Sequence, residues 1–171
     1  MAGIVLNLAI GHAVILLGLP IYLDALGTII FTLLCGWRVG AAIGVLSFLI
    51  GGLLNAHMPY FIFSQLMIAA VTGLSAKHRG FKTLPRVVLT GVIMGVVAAI
   101  VSAPAVALAF HDGPSFWSAT LEHLRVSFAS ANIWVEPTDK IIQCLIAWLV
   151  VRALPHPLKA QPSFAKHEDG R

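Results

Sequence analysis

A few polar residues in a very apolar chain carry whatever chemistry this sequence can do. Asp24 lies in Tyr22-Leu23-Asp24-Ala25-Leu26-Gly27-Thr28, Gln65 sits just inside the apolar run at 60–76, and Asp139-Lys140 open the run that ends at Arg152. Thirteen residues separate Asp139 from Arg152, about 20 Å along a helix. If Arg152 marks one membrane surface, Asp139 lies in the opposite third of the bilayer, at a depth similar to that of Asp24 and Gln65. Ionisable groups are costly in lipid and face a protein interior or a cavity. Two readings remain open. One is an internal network, Asp24 or Glu136 with Lys140, that only fixes helix register. The other is a ligand cavity built from Asp24, Gln65 and Asp139, with Asn55, Tyr60 and Trp134 near its mouth and His57 and Asn132 beside them. Tyr60 and Trp134 also suit an interfacial belt of aromatics.

Other constellations are weaker. His57, His111 and His123 fall on the same side of the chain, but nothing in their spacing fixes a metal site, and they read as solvated loop histidines. His12 sits mid-helix and reads as a hydrogen-bonded core histidine. Cys35 and Cys144 are far apart, lack ligand spacing and read as small buried hydrophobes. No nucleophile elbow, phosphate loop or nucleotide-binding module is present, so no resident cofactor and no enzymatic activity are expected, and any energy source must come from elsewhere.

The elements that must position these residues are helices. Of the 171 residues 58% are hydrophobic and 11% charged, against roughly 25% charged in soluble domains. Apolar runs fall at about 3–19, 21–36, 39–54, 60–76, 87–110 and 131–154, against roughly 17–25 residues for a spanning helix. The second and third are short, and their helices are expected to extend into flanking residues. The fold class is therefore an all-α integral membrane protein, a compact bundle of six transmembrane helices over residues 1–155. The first run lacks a basic leader and a good cleavage signal, so it reads as a retained helix. Between helices 5 and 6, Trp117, Leu121, Leu124 and Phe128 recur at helical spacing, with Glu122 and Arg125 off that face. This predicts an amphipathic helix at the outer surface, either an anchor or a lid. The segment 156–171 reads as a disordered polar tail.

Charge sets the orientation. With the N-terminus in the cytoplasm, Arg38, Lys77, Arg79, Lys82, Arg86, Arg152, Lys159, Lys166 and Arg171 are inside, nine of the eleven basic residues. Only Arg125 and Lys140 are outside, as the positive-inside bias requires. Both termini are then cytoplasmic. The net charge of +4 does not point to nucleic acid, because the basic residues sit in short loops rather than along one aromatic-lined face. Three ridges of small residues at four-residue spacing mark close helix contacts: Ala9 and Ala13; Gly36, Gly40 and Gly44; and Gly91, Gly95, Ala99, Ala103 and Ala107. The second and third read as internal packing, the first as a face open to a partner.

The stretch Leu19-Pro20-Ile21-Tyr22-Leu23-Asp24-Ala25-Leu26-Gly27-Thr28, the Gly-rich helix after it, Asp139-Lys140-Ile141-Ile142 and the closing Arg152-Ala153-Leu154-Pro155 resemble a group of substrate-binding (S) components of energy-coupling factor (ECF) transporters. The likeness covers roughly residues 9–155. It implies a six-helix membrane protein of a prokaryotic cell membrane, termini inside, that captures a vitamin-like solute or a metal from the outer side. It also implies docking onto a membrane coupling (T) subunit carrying two ABC-type ATPases, with Ala9 and Ala13 matching the small-residue motif of the docking helix. The Met-His N-terminus of nickel and cobalt members is missing, which favours a vitamin-like solute over a metal. The alternative reading is a self-sufficient small transporter or channel.

Overall fold

The computed structural model describes residues 1–110, 115–129 and 134–154, without the side chains of 128 and 129. These residues form seven α-helices and one 3₁₀ turn, with no strand among them: α1 (Ala2–Leu16), α2 (Leu26–Cys35), α3 (Trp37–Gly51), the turn Met58–Phe61, α4 (Ile62–Lys77), α5 (Leu84–Phe110), α6 (Phe116–Ala129) and α7 (Val135–Ala153). Each apolar run holds one helix, and the amphipathic stretch supplies α6. Two continuous helical segments, Met58–Lys77 and Leu84–Phe110, are long and apolar enough to cross a membrane. His111, Gly113-Pro114, Asn132 and the tail from Pro155 lie outside the described residues.

Helix ends follow local chemistry. Pro59, Pro85 and Pro137 fall in the first turns of their helices, where a missing N–H costs nothing. α1 stops at Leu16 because Gly18 takes φ 64°. Gly18 N–H then donates to Ile15 and Leu19 N–H to Val14, the pairing of a Schellman cap.

The expectation that α2 lengthens is corrected. It begins at Leu26 and has 10 residues, about 15 Å. Residues 21–25 are instead a non-helical segment tied to α7, with Leu23 at φ 48°. Asp24 therefore precedes α2 rather than opening it.

α2 nonetheless lies at the centre. Its Leu26, Ile29, Ile30 and Leu33 form the core with Ile68 of α4, Val87 and Met94 of α5, and Cys144 and Ala147 of α7. Cys144 is buried, whereas Cys35 is only half-buried. Close approach makes this packing possible. A Cβ on Gly27 would overlap the Gly3 carbonyl of α1, and one on Gly95 would overlap the Pro137 backbone of α7. Gly40 and Gly44 press on Thr32, Thr28 and Gln65, and Ala99, Ala103 and Ala107 are buried, so the second and third ridges are internal contacts. Gly36 is the exception, a turn residue at φ 91° with nothing against it. Ala9 and Ala13 are exposed on α1.

The exterior is apolar. Along α5, Leu89, Ile93, Val96 and Ile100 project outward, as do Phe63, Met67 and Leu74 on α4. α6 rests on α5 through a side that buries Thr120, while Trp117 and Leu121 face away at 71% and 64% exposure. Trp117 and Leu121 of the predicted apolar stripe are thus turned outward and Leu124 is half-buried; the side chain of Phe128 lies outside the described part.

Candidate functional site: a polar cavity at one end of the bundle

The site is built around the segment between α1 and α2. Asp139 of α7 is fully buried and accepts through Oδ1 from the backbone N–H groups of Tyr22 (3.0 Å) and Leu23 (2.9 Å). Its Oδ2 accepts from Lys140 Nζ and from Gln143 Nε2 (2.8 Å). Gln143 Oε1 accepts from Ala25 N–H at 3.2 Å. One helical face thereby satisfies three backbone donors that no helix or sheet satisfies, as buried backbone requires.

Clamping the segment brings Asp24 over the bundle. Asp24 Oδ1 stands 3.7 Å from Lys140 Nζ, an ion pair beyond hydrogen-bond length, and has no hydrogen-bond partner among the described residues. Beneath it lies an interhelical network. Asn7 Nδ2 donates to Thr28 Oγ1 (3.0 Å) and Ser47 Oγ (3.1 Å), while its Oδ1 accepts from Gly27 N–H (2.7 Å). Thr28 Oγ1 donates to Gln65 Oε1 at 2.9 Å. Four helices are joined through two side chains, Asn7 and Thr28.

Above this network opens a cavity of about 800 Å³. α1 contributes Asn7, Gly11 and His12, the α1–α2 segment Tyr22 and Asp24, and the α3–α4 connection Asn55, His57 and Phe61. Ser64 and Gln65 come from α4, Ser102 and Phe110 from α5, His123 from α6, and Glu136 and Lys140 from α7. At the rim the His57 ring stacks on Phe110, with centroids 4.4 Å apart. Asn55 also shapes the rim, since its side-chain oxygen accepts from His57 N–H at 3.0 Å. The partial burial of His123 lowers its pKa from the ordinary histidine value.

Three of the six residues expected to bind solute, Asp24, Asn55 and Gln65, meet on this cavity. The other three do not line it. Tyr60 is 44% exposed on the 3₁₀ turn. Trp134 is 71% exposed and borders a smaller adjoining space of about 370 Å³, which shares Tyr22, His123 and Glu136 with the main one. Asp139 points at the α1–α2 segment, since its two oxygens are taken up by the clamp. Depth along the helix leaves azimuth free, and azimuth turns Asp139 away from the cavity. Adjacent helical residues point about 100° apart, and four-residue neighbours share a face, so Glu136 and Lys140 face the cavity together.

Asn7, His12, Ser64, Glu136 and Lys140 also line the cavity. Asn7 had a legible signal: Gly3, Asn7 and Gly11 form a four-spaced ridge on the buried side of α1, opposite Ala9 and Ala13. His12 is exposed to the cavity rather than held in the core, and His57 is a stacked rim residue rather than a freely solvated one.

The arrangement offers charge, hydrogen bonds and aromatic walls. Ser47 and Ser102 donate to carbonyls of their own helices. Ser64 Oγ is buried without a hydrogen-bond partner among the described residues. No group of three or more His, Cys, Asp or Glu among the described residues is placed to hold a metal ion.

No family model, curated protein or solved structure matches this chain. The functional reading therefore rests on geometry and on the motif resemblance alone.

Proposed function

We propose that the chain is the solute-binding membrane subunit of an ECF-type uptake transporter, capturing a vitamin-like small molecule from outside. In this reading α1 to α5 and α7 cross the membrane, α6 lies at the outer surface, and both termini are cytoplasmic. A T subunit and two ABC ATPases supply ATP hydrolysis and reorient the loaded subunit.

The observation that carries the proposal is the cavity. Its volume falls within the roughly 300–1,000 Å³ of small-molecule sites, and its lining combines apolar side chains with convergent polar groups. It opens at the end of the bundle opposite Arg38, the basic 77–86 loop and Arg152. The basic end is cytoplasmic by the positive-inside bias, which turns the cavity outward.

The irregular 17–25 segment supports the same reading. Non-helical backbone at membrane depth is tolerated only where protein satisfies it or where it lines a cavity, and here Asp139 and Gln143 satisfy it beside one. The large hydrophobic side chains exposed along α4 and α5 suit contact with lipid. The exposed Ala9 and Ala13 leave one face of α1 free for close approach by a coupling subunit.

The test is native mass spectrometry of the full chain, mildly purified from its own membrane. A single retained small molecule, lost on denaturation and displaced by itself in excess, is the expected result. Solute flux through the chain alone in liposomes, without ATPase subunits, would instead favour a self-sufficient transporter or channel.

A further inference from the structure

Among the described residues, three carboxylates and one ammonium cluster where α7 meets the cavity and the α1–α2 segment. Lys140 Nζ bonds to Asp139 Oδ2 and stands 3.7 Å from Asp24 Oδ1. Glu136, one turn before Lys140 on α7, also faces the cavity. Lys140 is the only lysine or arginine among the described residues of the cavity wall. Counting the histidines His12, His57 and His123 as neutral, the four groups sum to two negative charges. Asp139 is already saturated by two backbone donors, Lys140 and Gln143. The unbalanced charge therefore resides on Asp24 and Glu136, the two carboxylates that line the space. Carboxylates withdrawn from water call for a partner.

Two further observations point to an absent ligand. Ser64 is only 8% exposed, borders the cavity and leaves its hydroxyl without a hydrogen-bond partner among the described residues. Buried hydroxyls are rarely left so. The remaining wall carries Tyr22, Phe48, Phe61 and Phe110, and aromatic faces attract cations.

We infer that the cavity takes a solute bearing a positively charged nitrogen group, seated against Asp24 and Glu136, with a hydrogen-bonding end that reaches Ser64. This rests on the solute-binding reading above and narrows its substrate class to organic cations. Acidic solutes are disfavoured by Glu136 and Asp24, which outnumber the one ammonium left beside them, and Lys140 is held by Asp139 and Asp24 rather than offered to a ligand.

The test uses the full-length protein and three probes of matched ring and size: benzamidinium, benzamide and benzoate. Binding is followed by saturation-transfer NMR and by the shift in unfolding temperature. The wild type should bind benzamidinium about tenfold more tightly than benzamide, the difference of one partly buried charge contact, and benzoate more weakly still. Asp24→Asn and Glu136→Gln should each remove most of that preference by weakening benzamidinium binding more than benzamide binding. Should Asp24→Asn fail to fold, Glu136→Gln and the wild-type probe series carry the test. Equal binding of the three probes, a preference for benzoate or benzamide, or no binding of benzamidinium by folded protein overturns the inference. A preference for benzoate would overturn the cation alone and leave a solute cavity standing. Failure to recover ATPase subunits with the chain speaks to the transporter reading and not to this one.

Discussion

Asp24 and Asp139 are the same side chain at a similar depth, and the structure gives them opposite roles. Asp139 is buried, bonded to four donors, and holds the α1–α2 segment on α7. Asp139→Asn leaves the buried Lys140 short of its closest counter-charge and should cost about 3–5 kcal/mol of stability, read as a large fall in unfolding temperature. Asp24→Asn removes no hydrogen bond found among the described residues. It should fold nearly as well as the wild type and lose about 5- to 150-fold in solute affinity. Equal stability of the two variants would show that the clamp is not where the structure puts it. Depth and cost alone brought Asp24, Gln65 and Asn55 to the right end of the molecule. They could not separate Asp139 from Lys140, because the choice between neighbours depends on helix azimuth, which depth leaves free.

At the scale of the element, α1 shows how two faces of one helix divide their work. Gly3, Asn7 and Gly11 face inward, and the Gly3 carbonyl meets α2 at Gly27. Ala9 and Ala13 face outward beside Val5. Ala9→Trp and Ala13→Trp should leave unfolding temperature and solute binding close to wild type while blocking association with a coupling subunit, measured by copurification. If either variant unfolds, α1 packs through that face within the chain, and if both assemble normally, the docking face lies elsewhere. Gly95→Leu should behave in the opposite way. Its side chain has no room against the Pro137 backbone, and overpacking of this kind costs about 1–3 kcal/mol or more. A Gly95→Leu protein as stable as wild type would contradict the α5–α7 contact. All the helices were legible as apolar runs or an amphipathic stretch. The length of α2 was not, because residues 21–25 are as apolar as a helix. What keeps them out of one is a carboxylate more than a hundred positions along the chain.

The whole molecule combines a polar cavity at one end, basic loops at the other and an apolar exterior between them. The charge asymmetry from which the orientation is proposed is read from the composition of loops rather than from packing. It makes a direct prediction. In a background lacking Cys35 and Cys144, a cysteine replacing Lys82 should react with an impermeant thiol reagent only from the cytoplasmic side, and one replacing the exposed Leu53 only from outside. The reverse pattern would put the cavity on the wrong face for uptake. Which solute fills the cavity was beyond sequence reasoning, because the lining comes from eight separate segments whose meeting depends on tertiary packing.

The central claim is that this chain captures a solute and leaves its translocation to partners. It is tested most directly by purifying the tagged full chain from its own membrane in mild detergent and identifying what comes with it. The account predicts a membrane coupling subunit and two ABC ATPases in a stable assembly, with the solute taken up by reconstituted liposomes only when all are present and ATP is supplied. Solute uptake by the chain alone, with no ATPase recovered, would contradict it.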